Sequence, residues 1–324
     1  MSQTQRRLNM MKINDIIGDA TKIGIAGHIR PDGDCIGSCM SLYNYLKKNR
    51  PELDVKVHLE YVDPKYTIID NTDDIDTGDF DGTVYDLFIA LDTASVDRLG
   101  KNAEYFEKAK RTFCIDHHKS NDGYADENIV EANASSACEV LFDTLDVDLF
   151  DESIAAPMYM GIACDSGVFR FQNTKPRTLR IAAKMMEFGI NHNEILEETF
   201  YKKSYNQMMI TAKIQTNTVV TMDGQVIYGY CTSELMEKYG LTTNDLDAVI
   251  ASIRNVSGVE VAMFAYQLDE NKYKVSLRSK DRVDVSKIAV TFGGGGHKRA
   301  AGFDIEGDKD SVIKDVLAEI EKEF

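Results

Sequence analysis

The sequence predicts an α/β protein with two domains, the first built on a parallel sheet and the second smaller and of the α+β type. Over the first 190 residues, short apolar runs alternate with segments of helical spacing. This pattern is typical of a mostly parallel sheet with helices on both faces. Beyond residue 216 the pattern changes to apolar segments paired across turn sequences. A length of 324 residues fits two domains of ~100–200 residues each.

The first domain, residues 1–190, is expected to contain four strands, because four short apolar runs have strand length and end at polar residues. The second run alternates Val55, Val57 and Leu59 with polar residues, whereas the other three are nearly continuous. The acidic stretch 70–81 is interpreted as a solvated loop. The predicted strands are 22–27, 55–59, 87–91 and 112–115, and the predicted helices are 36–48, 102–110, 136–145, 152–164 and 175–189.

A helical linker, residues 191–215, is expected to join the first domain to the second, residues 216–324. Asp223-Gly224 and residues 269–271 are turn sequences between apolar segments, so each predicts a hairpin. The linker is predicted as helices 193–202 and 201–215. The second domain is predicted as strands 218–221, 226–230, 259–268, 272–279 and 301–305 with helices 283–292 and 309–323.

Composition narrows the possible partners. The net charge is −16, whereas a protein that grips long nucleic acid usually presents a broad basic face. Any nucleic-acid substrate is therefore expected to be short. No apolar run approaches the ~18 residues of a membrane helix, so no membrane association is expected.

The cysteines and the N-terminus favour a cytoplasmic location. Six cysteines include no Cys-x-x-Cys pair, and four lie in apolar elements, so we interpret them as reduced core residues. The first 12 residues are polar, contain Arg6 and Arg7, and show no apolar stretch of the kind that a secretory signal has.

The chain is organised around a polar stretch that directly follows the first predicted strand. His28 is followed by Asp32 and then Asp34, with Pro31 and Gly33 shaping the backbone between them. Pro-Asp-Gly-Asp is also ordinary turn chemistry, so this stretch alone does not establish a metal site.

The same kind of side chain recurs at other element ends. Asp92 follows the third strand, Asp116-His117-His118 follows the fourth, and Asp165 follows an apolar helix. Because the carboxyl ends of parallel strands line one edge of the sheet, these residues are expected to converge there. Four carboxylates in one pocket would repel strongly, and two divalent cations would balance them. Histidine and carboxylate ligands without thiolate favour manganese, with Mg²⁺ or Co²⁺ as alternatives.

These motifs together resemble the four signature motifs of the DHH phosphoesterase superfamily. The segment from Phe292 to Gly302, which contains four consecutive glycines and His297, resembles the glycine-rich motif of the DHH-associated C-terminal domain. The resemblance extends over residues 20–320, and the compact length resembles the branch of nanoRNases, which includes oligoribonucleases and 3′-phosphoadenosine 5′-phosphate phosphatases.

The resemblance implies a ligand set and two further roles. It implies that His28, Asp32 and Asp92 hold one Mn²⁺ and that Asp34, Asp92, His117 and Asp165 hold the other, with Asp92 bridging. It also implies that His118 faces the substrate as a general acid or phosphate contact. Asp116 would then orient a neighbouring histidine.

A basic strip near the glycine run is the candidate substrate-binding surface. Residues 272–300 carry eight Lys or Arg residues against two Asp residues, a net charge of +6 within an acidic chain. The alternatives are a flexible linker for the glycines and a solvated charged face for the strip. We expect Arg278 and His297 to bind substrate phosphate or base in a cleft between the domains. The backbone at Gly295 and Gly296 and the side chain of Arg299 are expected to assist.

The sequence thus predicts a two-metal phosphodiesterase that releases 5′-mononucleotides from very short RNA or DNA, with additional phosphatase activity on 3′-phosphoadenosine 5′-phosphate. Three alternatives stay open: a cyclic-dinucleotide or linear di-adenylate phosphodiesterase, a pyrophosphatase or exopolyphosphatase, and a nucleotide-binding regulator without turnover. The sequence leaves open whether the chain forms a homodimer.

Overall fold

The computed structural model describes residues 11–324, with side chains omitted at positions 244, 247, 248 and 251. The N-terminal stretch with Arg6 and Arg7 lies outside this range. The chain divides into two compact units, one ending at Lys202 and the other spanning Lys203–Phe324. Helices occupy most of the segment 191–215, which the sequence predicts as a linker, and the division falls inside it.

The first unit contains a five-stranded sheet in which every neighbouring pair is parallel, as predicted. The strand order is β2-β1-β3-β4-β5, so β1, β3 and β4 are the interior strands of the sheet. The edge strand β5 has no clear apolar run and is missing from the sequence prediction. The strands are β1 (Lys22–Ala26), β2 (Asp54–His58), β3 (Leu87–Leu91), β4 (Thr112–Asp116) and β5 (Glu127–Val130).

Helices pack around this sheet and bury one large apolar cluster. The second helix begins three residues earlier than predicted, because the Asp32 side chain caps it by accepting hydrogen bonds from the Asp34 and Cys35 backbone. The helices are α1 (Ile13–Ile17), α2 (Gly33–Asn49), α3 (Ala103–Lys108), α4 (Ala137–Thr144), α5 (Glu152–Asp165), α6 (Pro176–Met186) and α7 (His192–Leu196).

The predicted continuous helical bridge through residue 201 is wrong. A single π-helical turn, Glu197–Tyr201, follows α7, and the helix then stops. A new helix, α8 (Tyr205–Thr216), begins after Ser204, whose side chain and that of Gln207 form a reciprocal cap. Ser204 therefore starts a separate helix where the apolar spacing predicts one continuous helix.

The second unit contains a six-stranded mixed sheet with the order β10-β11-β9-β8-β7-β6. Both predicted hairpins are present, because β6 pairs antiparallel with β7, and β8 with β9. Strands β7 and β8 are parallel, so the chain crosses over between them. The strands are β6 (Val219–Thr221), β7 (Val226–Cys231), β8 (Val261–Asp269), β9 (Lys272–Ser279), β10 (Gly295–His297) and β11 (Ala300–Glu306).

The crossover accounts for two helices that the sequence prediction misses. They fill the segment between β7 and β8, and α8 and α10 pack on one face of the sheet. The other face is covered by the two helices that the sequence does predict. The helices that follow α8 are α9 (Ser233–Tyr239), α10 (Asp247–Arg254), α11 (Val285–Thr291) and α12 (Lys309–Glu321).

Across residues 11–324, every helix is either too short or too polar to span a lipid bilayer.

Candidate metal centre

The structure brings all six predicted metal ligands to one edge of the parallel sheet. Asp92 directly follows β3, and His28 and His117 lie one or two residues beyond β1 and β4. The other three side chains, those of Asp32, Asp34 and Asp165, come from the start of α2 and the end of α5. Convergence follows from topology, because parallel strands end on the same edge.

One group of ligand atoms surrounds His28. Its Nε2 lies 3.4 Å from Asp92 Oδ2 and 3.7 Å from Asp32 Oδ1. These three side chains place one ligand atom each within a radius that could hold a single ion. The imidazole Nδ1 lies 2.8 Å from the Ile29 carbonyl oxygen, which leaves Nε2 to face the carboxylates.

A second group surrounds His117. Its Nε2 lies 3.1 Å from Asp165 Oδ2, 3.4 Å from Asp92 Oδ1 and 3.8 Å from Asp34 Oδ2. Asp92 thus directs one carboxylate oxygen at each histidine. This geometry is what a bridging carboxylate between two cations requires, as the family resemblance implies.

The backbone at Asp92 aims its carboxylate. Asp92 has a φ of +52°, a left-handed conformation that aspartate tolerates better than most residues do. Its N–H donates to the Ile115 carbonyl oxygen at 3.1 Å, which ties it to the end of β4. The ends of β3 and β4 therefore fix the backbone of Asp92, and this backbone directs the carboxylate over the edge of the sheet.

Asp34 is held by the start of another helix. It is fully buried, and its two carboxylate oxygens accept hydrogen bonds from the backbone N–H groups of Ala137 and Cys138, at 2.5 and 3.0 Å. These groups belong to the first turn of α4, where unpaired donors and the helix dipole favour a negative charge.

A buried network that the sequence analysis misses fixes that helix start. Glu139 accepts hydrogen bonds from the Ser135 hydroxyl at 2.5 Å and the Thr178 hydroxyl at 2.8 Å, and Arg177 Nε donates to it at 3.1 Å. Ser136 caps α4 by accepting from the Glu139 N–H. The Ser-x-x-Glu spacing of residues 136–139 is the sequence signal of such a cap and could have identified it.

Burial and the neighbouring charges shift the pKa values of the acidic side chains in opposite directions. Burial, together with the neighbouring Asp92 and Asp165, raises the pKa of Asp34 well above its usual range, and burial also raises that of Asp165 to about 6. Burial works against ionisation of Asp92, but the attraction of the nearby His117 and His28 imidazoles holds its pKa below the usual range.

The two imidazoles respond to these carboxylates. Burial alone would lower the pKa of His117, yet the nearby carboxylates of Asp165 and Asp92 raise it to about 12. Burial also opposes protonation of His28, and its neighbours Cys35, Asp32 and Asp92 raise its pKa nonetheless. Because a metal ligand must be a neutral imidazole, cation binding has to displace these protons.

Two unpaired polar atoms indicate that the residues fit a cation. Asp92 Oδ1 and His117 Nε2 are buried and have no hydrogen-bond partner within residues 11–324. Such atoms are costly unless a ligand pairs with them. Cys164 places its sulfur near Asp32 and Asp165, but burial raises the pKa of its thiol, which disfavours the thiolate that soft metals need. The donors are thus hard oxygen and imidazole nitrogen.

His118 forms a further cluster with Asp92, Asp116 and His117, and its Nδ1 lies 3.7 Å from Asp92 Oδ1. Its Nδ1 is 2.7 Å from Asp116 Oδ1, and its side chain is 30 % exposed. Asp116 is fully buried and also accepts hydrogen bonds from the His117 N–H at 2.8 Å and the Asn121 amide at 2.7 Å. Asp116 therefore fixes the ring of His118, and the sequence analysis misses the contribution of Asn121.

The residues of the second unit that were predicted to bind substrate lie at one end of its sheet. His297 of β10 pairs with Ala300 of β11, which pairs in turn with Arg278 of β9, so the three form one row across adjacent strands. Next to it, Gly295 pairs with Gly302. Side chains in register share a face, so a histidine and an arginine flank small residues there.

The second half of the glycine run, Gly295 and Gly296, is part of the sheet, which disfavours a flexible linker. A Cβ at Gly294 would lie 2.4 Å from the Gly302 carbonyl oxygen, and one at Gly296 would lie 2.5 Å from the Ala300 carbonyl oxygen. Only glycine therefore permits the close pairing of this segment with β11.

Some cations of the basic strip are paired within the second unit. Lys272 and Lys274 lie 3.3 and 3.0 Å from the carboxylate of Asp304, and Arg299 lies 3.1 Å from Asp281. These pairs reduce the positive charge that the strip can offer.

Comparison with known proteins agrees with this architecture. Residues 22–162 match the family described as the DHH family, N-terminal domain, and residues 223–324 match the DHHA1 domain. A crystal structure of an exopolyphosphatase-related protein from Bacteroides fragilis superposes with a TM-score of 0.88, covering 99% of this chain and 98% of that one at 20% identity. That likeness establishes the fold.

Curated relatives extend over most of the chain. The bifunctional oligoribonuclease and PAP phosphatase NrnA of Thermus thermophilus is 31% identical, with 93% of this chain and 90% of the relative covered. The protein of the same name from Bacillus subtilis is 26% identical, with 89% and 91% covered. With both domain models matched and the ligand groups assembled at one sheet edge, the chain belongs to the DHH family and is a metal-dependent phosphoesterase.

Proposed function

We propose that this phosphoesterase cleaves very short oligonucleotides into 5′-mononucleotides and also removes a phosphate from 3′-phosphoadenosine 5′-phosphate. The observation that carries the proposal is the division of Asp92 between two histidine-centred groups, with one oxygen 3.4 Å from each imidazole. The names of the relatives, oligoribonuclease and PAP phosphatase, support this substrate class. Both reactions are attacks of water on a phosphoryl group next to a nucleoside.

Two Mn²⁺ ions are proposed to occupy the centre. His28, Asp32 and Asp92 would hold one, and Asp34, Asp92, His117 and Asp165 would hold the other. When bound, a pair of divalent cations would stabilise the attacking and leaving oxygens of a phosphoryl displacement and would lower the pKa of water. Mg²⁺ and Co²⁺ accept the same ligand types and are the alternatives.

His118 is proposed to protonate the leaving oxygen. The hydrogen bond to Asp116 raises the pKa of His118, which favours the protonated ring. With Nδ1 directed at Asp116, the opposite nitrogen, Nε2, is the one that can give its proton to substrate. Asp116 would hold the ring in this orientation and stabilise its charge.

The second unit is proposed to supply positive charge for the substrate. The four carboxylates of the centre balance two divalent cations, so the filled centre has little attraction left for a polyanion. Arg278 and His297, which share one row of the second sheet, are proposed to contact substrate phosphate or base. The backbone at Gly295 and Gly296 and the side chain of Arg299 are proposed to assist.

A substrate panel with Mn²⁺ present tests the proposal. Dinucleotides, longer RNA, 3′-phosphoadenosine 5′-phosphate, cyclic dinucleotides, pyrophosphate and polyphosphate would be incubated separately, and the products separated by chromatography. We expect mononucleotides from dinucleotides and AMP from the bisphosphate. Faster turnover of cyclic dinucleotides would favour a second-messenger phosphodiesterase, and orthophosphate release from polyphosphate alone would contradict the proposal. Binding without turnover across the panel would favour a regulator. The cytoplasmic location and a homodimer stay predictions.

A further inference from the structure

The segment directly after Asp165 has an unusual backbone. Gly167, Val168 and Phe169 have φ values of +59°, +54° and +64°, so three consecutive residues are left-handed. A β-branched residue such as Val168 rarely adopts this conformation, because its side chain crowds the carbonyl oxygen. Non-glycine residues held in this way are concentrated at functional sites, where the surrounding structure compensates for the strain.

Hydrogen bonds close this left-handed turn at both ends. The Val168 N–H donates to the Ala163 carbonyl oxygen at 2.7 Å, and the Phe171 N–H donates to the Ser166 carbonyl oxygen at 2.9 Å. The turn is therefore fixed to the last turn of α5, which carries Asp165.

Asn173 ties the far end of the segment to the same place. Its side-chain amide donates to the carbonyl oxygens of Asp165 and Ser135, each at 3.0 Å. The segment thus leaves Asp165 and returns to it within eight residues, which holds its backbone next to a predicted metal ligand.

Phe171 is exposed within this fixed turn. Its side chain is 49 % exposed, although phenylalanine is usually buried. A Cβ on Gly167 would lie 2.5–2.6 Å from three atoms of the Phe171 ring, so the ring rests directly against the glycine backbone. Gly167 is two residues from Asp165, which places the ring contact within about 7 Å of that backbone.

The neighbouring aromatic residue behaves differently. Phe169 is partly buried in the core of the first unit and lies with its ring centroid 6.0 Å from that of Tyr159. Phe171 makes no such ring contact with any side chain in residues 11–324. The turn therefore buries one phenylalanine and presents the other to solvent.

An exposed cation accompanies the exposed ring. Arg170 is exposed, and within the part of the chain that is described no carboxylate lies within ion-pair distance of it. Arg170 and Phe171 are adjacent in the chain, and an arginine that binds phosphate together with a ring that stacks on a base would suit a nucleotide.

We propose that Phe171 stacks on a nucleobase of the substrate. The contact thereby restricts the centre to nucleotides, as opposed to phosphate esters and anhydrides that lack a base. This inference rests on the proposed function and specifies how its substrate is selected. Stacking on an aromatic ring tolerates every base, because each has a π face, so the contact selects for a base without selecting which one.

A binding experiment tests the contact without turnover. The 5′-monophosphate of 2-aminopurine riboside, whose fluorescence is quenched by stacking, would be titrated with metal-free protein. We expect quenching by the wild type and by Phe171→Tyr, and about 10-fold weaker binding with little quenching for Phe171→Ala. Leu179→Ala is the matched control, because Leu179 is also 49 % exposed and lies in the same unit. Equal quenching by Phe171→Ala and the wild type would overturn the proposal.

A turnover experiment separates this inference from the proposed function. With Mn²⁺, kcat/KM would be measured for a dinucleotide and for the analogue that lacks the bases. We expect Phe171→Ala to lower kcat/KM by about 10-fold for the dinucleotide and to leave the abasic analogue nearly unchanged. Equal losses on both substrates would refute stacking while leaving the phosphodiesterase intact. Quenching by a wild-type protein that hydrolyses no dinucleotide would refute the proposed function and keep the stacking contact.

Discussion

Replacing Asp92 with asparagine tests whether one carboxylate serves two cations. The side chain is 2 % exposed, and each of its oxygens lies 3.4 Å from a different imidazole. Asparagine keeps the shape but removes the charge and one acceptor oxygen. We therefore expect it to weaken both ion positions, whereas loss of a ligand to one position would leave the other intact.

The size of the effect follows from linkage. At a Mn²⁺ concentration 100 times the dissociation constant, one occupied site stabilises the folded state by about 2.7 kcal/mol. For a unit of about 200 residues this raises the melting temperature by about 5–10 °C. The wild type should show at least this rise, and Asp92→Asn should show little of it.

Thermal scans and ion counting by mass spectrometry measure these two quantities. Asp97→Asn is the matched control, because Asp97 is an exposed aspartate five residues away. If Asp92→Asn retained two ions and the full rise in melting temperature, the bridging assignment would be wrong.

Four further outcomes are expected. Arg278→Lys should raise KM for dinucleotides by about 10-fold without changing Mn²⁺ uptake, because lysine keeps the charge but loses the planar fork, and an unchanged KM would exclude a phosphate contact. Mn²⁺ affinity should rise with pH, because the raised pKa values of His28 and His117 mean that binding displaces protons. Calorimetry in buffers of different ionisation enthalpy should detect the released protons. Glu139→Gln should lower the free energy of unfolding in urea by about 1–3 kcal/mol and weaken Mn²⁺ binding, and unchanged values would show that the α4 network is dispensable. Glu260 has a lowered pKa despite burial, because three backbone N–H groups donate to its carboxylate. Its contribution to stability should therefore be present above the usual glutamate pKa and be lost as the pH falls through the lowered pKa. Urea titrations of the wild type and Glu260→Gln at several pH values would measure this loss.

The ligand positions were predictable because parallel strands all end on one edge. A buried strand is visible in the sequence as an apolar run, and the polar residue after it must then lie at that edge. This reasoning placed His28, Asp92 and His117 together, although almost 90 residues separate the first from the last. The role of Glu139 could not be predicted in this way. It depends on which helix begins next to Asp34, and tertiary packing determines that.

The second unit was harder to predict. Helices α9 and α10 lie in a crossover between parallel strands, whereas the turn signals nearby indicate only hairpins. The strand β10 consists largely of glycine, which is depleted in strands, and at Gly296 the backbone of Ala300 and Ala301 leaves no room for a Cβ. The left-handed turn after Asp165 gives no signal in the sequence beyond a single glycine, because valine and phenylalanine rarely adopt it.

If two ions bind as proposed, the shared position of Asp92 links their affinities. If an ion at one position changes the energy of this carboxylate, that ion must change the affinity of the other position. The second ion then changes the affinity of the first position by the same factor. Titration should therefore not follow two independent isotherms, and a trace metal captured by one position would alter uptake at its neighbour.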